Sequence, residues 1–288
     1  MAAIAAIALW STVATAFKLA LRHTSPVMLL FMANIVSAIF FIAWSAVEGK
    51  LKVLLPATRR QWLTTCSMAV VSPFAYYLVL FRAYDLLPAQ VAQPLNYTWA
   101  ITLSVMSVLF LGKRLTGMEI TGGLVAYAGV WLICSPGGHF EGGLSTEGIA
   151  LALGSTLLWA TFWILSTLDD RAETVTLGAA FVASLPLTAA AALMTGIERI
   201  SWQAATCGIY VGLFEMGFTF VLWAKAMRWA NSTAKISSLI FLSPFLSLVF
   251  IWLIVGEDIA WTSILGLVVI VVGLILQRLK NQRGIKTQ

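Results

Sequence analysis

Runs of roughly twenty uninterrupted apolar residues follow one another along almost the whole chain, and this property fixes the solvent of the fold. Bounded by Gly, Pro or charged residues, they lie near 2–21, 27–47, 62–82, 88–111, 117–135, 147–168, 174–196, 203–224, 232–255 and 260–277. A helix needs about twenty residues to cross a ~30 Å hydrocarbon core, where each backbone N–H and C=O must be satisfied within the helix itself. The pattern therefore predicts an all-α integral membrane protein with ten transmembrane helices. Composition agrees: of 288 residues, 60% are hydrophobic and 10% charged, with a mean hydropathy of +0.92, against ~45–50% and ~25% in soluble domains. Spans of this length use up the chain and leave no room for a separate soluble domain. Within the first run Ala14-Thr15-Ala16 looks like a signal-peptidase site, but no basic segment precedes it, so the run is read as a retained helix.

The basic residues set the orientation. With the N-terminus in the cytoplasm, inner loops and helix ends carry Lys50, Lys52, Arg59, Arg60, Lys113, Arg114, Arg171, Lys225, Arg228, Lys235, Arg278, Lys280, Arg283 and Lys286. Lys18, Arg22, Arg82 and Arg199 fall outside. Such a bias follows the positive-inside rule and predicts both termini to be cytoplasmic. The pI of about 9.4 thus reports topology; without a basic face interleaved with aromatics, no nucleic-acid partner is expected. Cys66, Cys134 and Cys207 sit inside apolar runs, odd in number and without metal-ligand spacing. They read as small apolar filler, and neither a metal nor a cofactor is expected.

The chain repeats itself. Leu9-Trp10-Ser11 is echoed by Leu158-Trp159-Ala160, and Gly112-Lys113-Arg114 by Gly256-Glu257-Asp258, with Pro94 and Pro244 interrupting the runs before those glycines. Five spans per half is an odd number, so the two copies cross the membrane in opposite senses: 1–135 is the first five-helix repeat, 136–146 an external linker, and 147–288 the second repeat with a cytoplasmic tail. Inverted repeats of this kind recur in secondary transporters, where two halves exchange conformations around a midplane site.

These segments resemble the EamA-type exporters of the drug/metabolite transporter superfamily, and the likeness covers nearly the whole chain. Its most specific parts run from Gln93-Pro94-Leu95-Asn96 to Gly112-Lys113-Arg114-Leu115 and from Leu242-Ser243-Pro244-Phe245 to Gly256-Glu257-Asp258-Ile259, each followed by a Gly-rich helix (Gly122, Gly123, Gly129; Gly266, Gly273). The family's Gly-Glu turn is kept at Gly256-Glu257 and replaced at Gly112-Lys113; if the Glu serves a turn at a helix end, the departure matters little for transport. The resemblance implies ten helices in two inverted repeats, a bacterial inner-membrane location, and export of amino acids or other metabolites, aromatic amino acids among them.

Ionisable groups within a span cost ~2.5–3.5 kcal/mol on insertion scales, so they normally face the bundle interior. Glu215, midway along its run among Phe214, Phe218 and Phe220, is the leading candidate to bind a substrate ammonium or a proton; a structural hydrogen-bonded Glu is the alternative. Lys235 either meets a substrate carboxylate or snorkels to the cytoplasm. Arg82 and Asp85, three residues apart, form a local ion pair or an external gate. Gln93, Pro94 and Asn96, Ser72-Pro73 with Tyr76 and Tyr77, and Ser243-Pro244 mark interrupted helices, which border a cavity or a neighbouring helix. Pro73, Pro94 and Pro244 are accordingly hinge candidates, with packing the competing role. Of the twelve Trp, Trp44, Trp62, Trp202 and Trp261 fit an interfacial belt. Trp10, Trp99, Trp159, Trp163 and Trp223 lie deeper and either pack against neighbours or line an aromatic cavity. The substrate-binding set expected is Glu215, Trp163, Tyr77, Trp10, Gln93, Asn96, Trp99, Tyr76, Phe218 and Lys235.

No metalloprotease motif, nucleophile elbow, intramembrane aspartate pair or phosphate-binding loop is present, which argues against an enzyme or an ATP-driven pump. A secondary carrier for a small organic substrate remains, with export of amino acids, export of lipophilic cations, and lipid scrambling or a structural role as competing readings. Proton coupling and facilitated diffusion are both allowed, as are a monomer and a homodimer; the Gly-rich fifth and tenth runs read as packing or dimerisation elements.

Overall fold

The computed structural model describes residues 1–112, 115–135, 143–197, 199–228 and 240–279, and every regular element among them is helical. Seven of the described helices are long and apolar enough to cross a membrane: Ala2–Leu21, Pro26–Val47, Arg59–Leu86, Gly117–Cys134, Thr146–Ser166, Glu173–Thr195 and Trp202–Trp223. The run expected at 88–111 is divided into Ala89–Tyr97 and Trp99–Leu111. Pro94 has no N–H for the Gln90 carbonyl, which weakens the first piece, and the Thr98 hydroxyl donates to the Leu95 carbonyl (2.7 Å) at the break. Within the last two runs the described residues form the apolar helices Ile240–Val255 and Trp261–Leu279; residues 229–239, where the ninth run starts, are not among them. Lys113, Arg114, His139, Lys235 and linker residues 136–142 lie outside the described residues.

The fold is apolar outside as well as inside, as lipid demands. Trp131 and Trp252, each in the last turn of an apolar helix, are 73% and 56% exposed, whereas Ser11, Asn34, Ser37, Ser155 and Ser184 are fully buried. Serine hydroxyls turn back on helical carbonyls, Ser11 on Ile7 (2.7 Å) and Ser37 on Ala33 (2.8 Å). Asn34 spans two helices, donating to Ser184 (2.9 Å) and Thr188 (3.1 Å). Trp62, Trp202 and Trp261 stand exposed near helix starts, where an indole suits the headgroup zone.

Three of the described helices widen locally into π turns, Val70–Ala75 within Arg59–Leu86, Val211–Glu215 within the helix beginning at Trp202, and Ile251–Val255 at the end of Ile240–Val255. In the first, Ser72 leaves helical geometry (φ −153°, ψ 123°) ahead of Pro73. The second has no proline; there the Thr219 hydroxyl donates to the Phe214 carbonyl. A π turn re-aims the side chains after it, and such turns gather at functional sites.

Helices Gly117–Cys134 and Trp261–Leu279 lie along one another on a seam of glycines. A Cβ on Gly122 would stand 2.5 Å from the Gly273 carbonyl oxygen, and one on Gly129 2.6 Å from that of Gly266. Only residues without a side chain permit this approach. The fifth and tenth apolar runs therefore pack on each other within one chain.

At one end of the bundle, Arg171 and Asp169 form an ion pair (2.6 Å) with side chains 3% and 0% exposed. Arg171 also donates to the Thr65 hydroxyl (2.6 Å) and the Leu54 carbonyl (3.3 Å), tying the 167–172 loop to the short helix Leu51–Leu54 and the start of Arg59–Leu86. Burial disfavours the Asp169 charge, but hydrogen bonds from Arg171 outweigh it and hold the carboxyl below its ordinary range.

Candidate functional site

The helices enclose a chamber of about 320 Å³, at the lower end of the ~300–1,000 Å³ usual for small-molecule sites. Side chains reach it from Ala2–Leu21, from the helix after the first π turn, from both pieces of the broken 89–111 segment, from Thr146–Ser166, from the second π turn and the helix after it, and from Ile240 and Phe241.

Its walls are a connected series of rings. Trp99 stacks on Trp163 (centroids 6.4 Å apart), Trp163 meets Trp159 edge-on (5.9 Å), and Trp159 stacks on Tyr76 (4.6 Å). Trp159 continues to Phe220 (6.1 Å), Phe220 to Trp10 (5.8 Å), and Trp10 to Trp223 (5.4 Å). Contacts of this kind fix the rings and leave π faces for a planar or cationic guest.

Glu215 ends the second π turn and lines the chamber. The Tyr77 hydroxyl donates to its Oε1 (3.2 Å), and the Trp10 side chain makes a further hydrogen bond to it. Opposite runs a polar chain: Tyr76 donates to Asn96 Oδ1 (3.3 Å) and Asn96 Nδ2 to Ser155 (2.9 Å), joining three helices. Gln93 Oε1 and Trp163 Nε1, on side chains that line the chamber, are buried without a hydrogen-bond partner among the described residues. Unpaired buried polar atoms of this kind are costly and call for a partner. Among the described lining residues Glu215 is the only acid, and none is Lys, Arg or His.

Seven of the expected binding residues line the chamber: Glu215, Trp163, Trp10, Gln93, Asn96, Trp99 and Tyr76. Tyr77 is fully buried one layer behind and reaches the site through Glu215. Phe218 points elsewhere, edge-on to Phe40 (6.3 Å), and Phe220 lines the chamber instead. Two residues along a helix reverse the facing, and a cluster of Phe does not say which member points inward. Lys235 lies outside the described residues. Pro73 sits in the first π turn, Pro94 inside Ala89–Tyr97, and Pro244 in the first turn of Ser243–Phe250. Phe17, Tyr84 and Tyr97 also line the chamber; the only trace in the sequence is that Tyr97 follows Asn96. Arg82 pairs with Asp85 (2.7 Å) and approaches Glu147 (3.5 Å) on another helix.

Fold and chamber together describe a polytopic membrane protein with a solute-sized, ring-walled cavity at its centre. The chain belongs to the EamA-like transporter family, whose model matches residues 1–135 and 146–278, and it is thereby a transporter rather than an enzyme. It is 23% identical over 276 residues to the uncharacterized transporter YvbV of Bacillus subtilis (strain 168), covering 92% of this chain and 86% of that relative. It is 26% identical over 219 residues to a probable terminal-alkyne amino-acid exporter of Streptantibioticus cattleyicolor, covering 74% and 72%. A solved crystal structure superposes with a TM-score of 0.70 at 21% identity, over 98% of this chain and 96% of the other. That last likeness speaks for the fold alone.

Proposed function

We propose that the chain is a secondary carrier of the bacterial inner membrane that exports small amine-bearing metabolites, amino acids including aromatic ones, by alternating access at the central chamber. Its architecture in this reading is ten transmembrane helices in two inverted halves, 1–135 and 147–288, joined by an external linker at 136–146, with both termini cytoplasmic. Several equivalences support the repeat. Two of the three π turns among the described residues, Val70–Ala75 and Val211–Glu215, occupy matching helices, whereas Ile251–Val255 has no counterpart in Trp99–Leu111; Gly112 and Gly256 both end a helix in the left-handed conformation (φ 64° and 79°). The glycine seam pairs the last helix of each half, and the family model matches two stretches of similar length. The order of crossings has support too: residues 18, 85–88, 143–145 and 257–258, all expected on one side of the membrane, gather around one recess.

The observation that carries the substrate assignment is Glu215, a carboxyl held by Tyr77 within a wall of indole and phenyl rings. A carboxylate supplies the counter-charge for an ammonium, and ring faces supply cation–π contact and apolar area for the rest of the molecule. The amino-acid exporter among the relatives points the same way. Substrate contacts are assigned to Glu215, Trp163, Trp10, Gln93, Asn96, Trp99 and Tyr76, with Tyr77 orienting Glu215 and Pro73, Pro94 and Pro244 as hinges. Glu215 serves equally for proton coupling or for uniport. A second reading, export of lipophilic cations, draws on the absence of any Lys, Arg or His among the described lining residues, since an amino-acid carboxylate needs a partner.

The test is counterflow in proteoliposomes preloaded with unlabelled phenylalanine, with an aromatic monocation run beside it. Phenylalanine accumulation that falls at least tenfold in Glu215→Gln supports the proposal, a loss of about 1.4 kcal/mol of binding. Movement of the cation alone selects the second reading, and silence for both rejects the assignment of the chamber.

A further inference from the structure

One end of the chamber is shut by two layers of contacts that the substrate site does not use. The inner layer is aromatic: Phe17, 1% exposed, packs edge-on against Phe81 (4.8 Å) and Tyr84 (5.2 Å), directly above the cavity. The outer layer is made of charged side chains that bond to backbone on other helices. Lys18 donates to the carbonyls of Tyr84 (2.7 Å) and Leu87 (2.8 Å), and Arg22 to that of Val255 (2.8 Å). Glu257 accepts from the N–H groups of Ala89 (2.9 Å) and Gln90 (3.2 Å), while the Gln90 side chain donates to the Asp258 carbonyl (2.8 Å) and accepts from the Ala260 N–H (2.8 Å).

These backbone groups are those a helix leaves unpaired at its ends, carbonyls where Tyr76–Leu86 and Ser243–Val255 stop and N–H groups where Ala89–Tyr97 starts. Cations on the carbonyl ends and an anion on the N–H end match the helix dipoles. Each contact joins helices that must separate if the chamber is to open at this end.

The geometry points to a two-layer external gate in which Lys18, Arg22 and Glu257 act as releasable clasps over a Phe17–Tyr84 plug, so that the conformation described has its outer end closed. The inference rests on the carrier reading. It also gives the Gly256-Glu257 turn a task in this chain: Glu257 secures the start of the broken helix that carries Gln93 and Asn96.

The experiment reads access to the chamber without a transported substrate. Leu80, which lines the cavity just below the plug, is replaced by Cys in a background where Cys66, Cys134 and Cys207 are Ala. Labelling by a membrane-impermeant thiol reagent is then timed from each face of oriented vesicles. Lys18→Met and Glu257→Gln are expected to speed labelling from the external face at least tenfold. Arg22→Gln, at an exposed position, loosens the same layer should either of the other two variants fail to fold. No gain in any folded variant, or a gain from the cytoplasmic face, overturns the gate. Counterflow in the same vesicles reports the carrier separately: raised labelling with a flat wild-type trace would retain the gate and reject the transport reading.

Discussion

Asp169 and Arg171 are the one ion pair among the described residues with both side chains almost wholly buried, and its contribution depends on pH. The Asp169 pKa is lower in the folded state than in the unfolded chain, so its stabilisation is complete above the ordinary carboxylate range and fades as pH falls through the folded value. Asp169→Asn should destabilise by about 1–3 kcal/mol at neutral pH, less than orphaning a deeply buried charge because the loop borders water. Thermal unfolding in detergent would detect it: the gap to wild type should narrow from pH 7 to pH 3, and a constant gap would refute the linkage. Neither residue stood out in the sequence, where both are ordinary loop charges. Glu215 did stand out, since a lone carboxyl within an apolar run is expensive enough to need a reason. Tyr77 was legible only as a neighbour of Pro73, its part being set by a contact 138 positions away.

Helices were the easiest elements to read, because hydropathy over twenty residues averages out local irregularity and the chain has almost no polar stretches to confuse it. Breaks in helices were legible where proline causes them, at 73 and 94. The π turn at Val211–Glu215 has no such marker and arises from packing of the whole bundle. The glycines of the fifth and tenth runs announced close approach but not their partner. The partner being each other, Gly129→Leu should force the two helices apart and cost at least 1–3 kcal/mol from overpacking. Gly154→Leu, at a position with open space around it, should change little. Equal melting temperatures for the two variants would contradict the seam.

The described residues gather Lys18, Asp85 and Glu257 around one recess, and the basic residues of the sequence are assigned in the proposed topology to the opposite end. In the proposed orientation, alkaline phosphatase fused after residue 140 should be active and the same enzyme fused after residue 170 or at the C-terminus inactive, with a fluorescent reporter giving the reverse pattern. The opposite pattern would invert the membrane topology and make the closed end cytoplasmic. The charge asymmetry behind the proposed topology is legible because it is a sum over many residues; which helix faces enclose the chamber is not, because that depends on rotations of each helix that periodicity hardly encodes in chains apolar all round.

A chamber walled by rings discriminates by fit of area more than by matched hydrogen bonds. Each methylene a guest adds to such a surface is worth about 0.8 kcal/mol, a few-fold in affinity, while the polar groups of the lining, Glu215, Asn96, Gln93 and Trp163 Nε1, address only part of a guest's outline. Preference among guests should therefore be graded rather than all-or-none, with bulkier apolar amines holding on longer until the space is full. Under the proposed export, a cell gains breadth of clearance at the expense of selectivity, and the limit on what leaves is set by volume and charge.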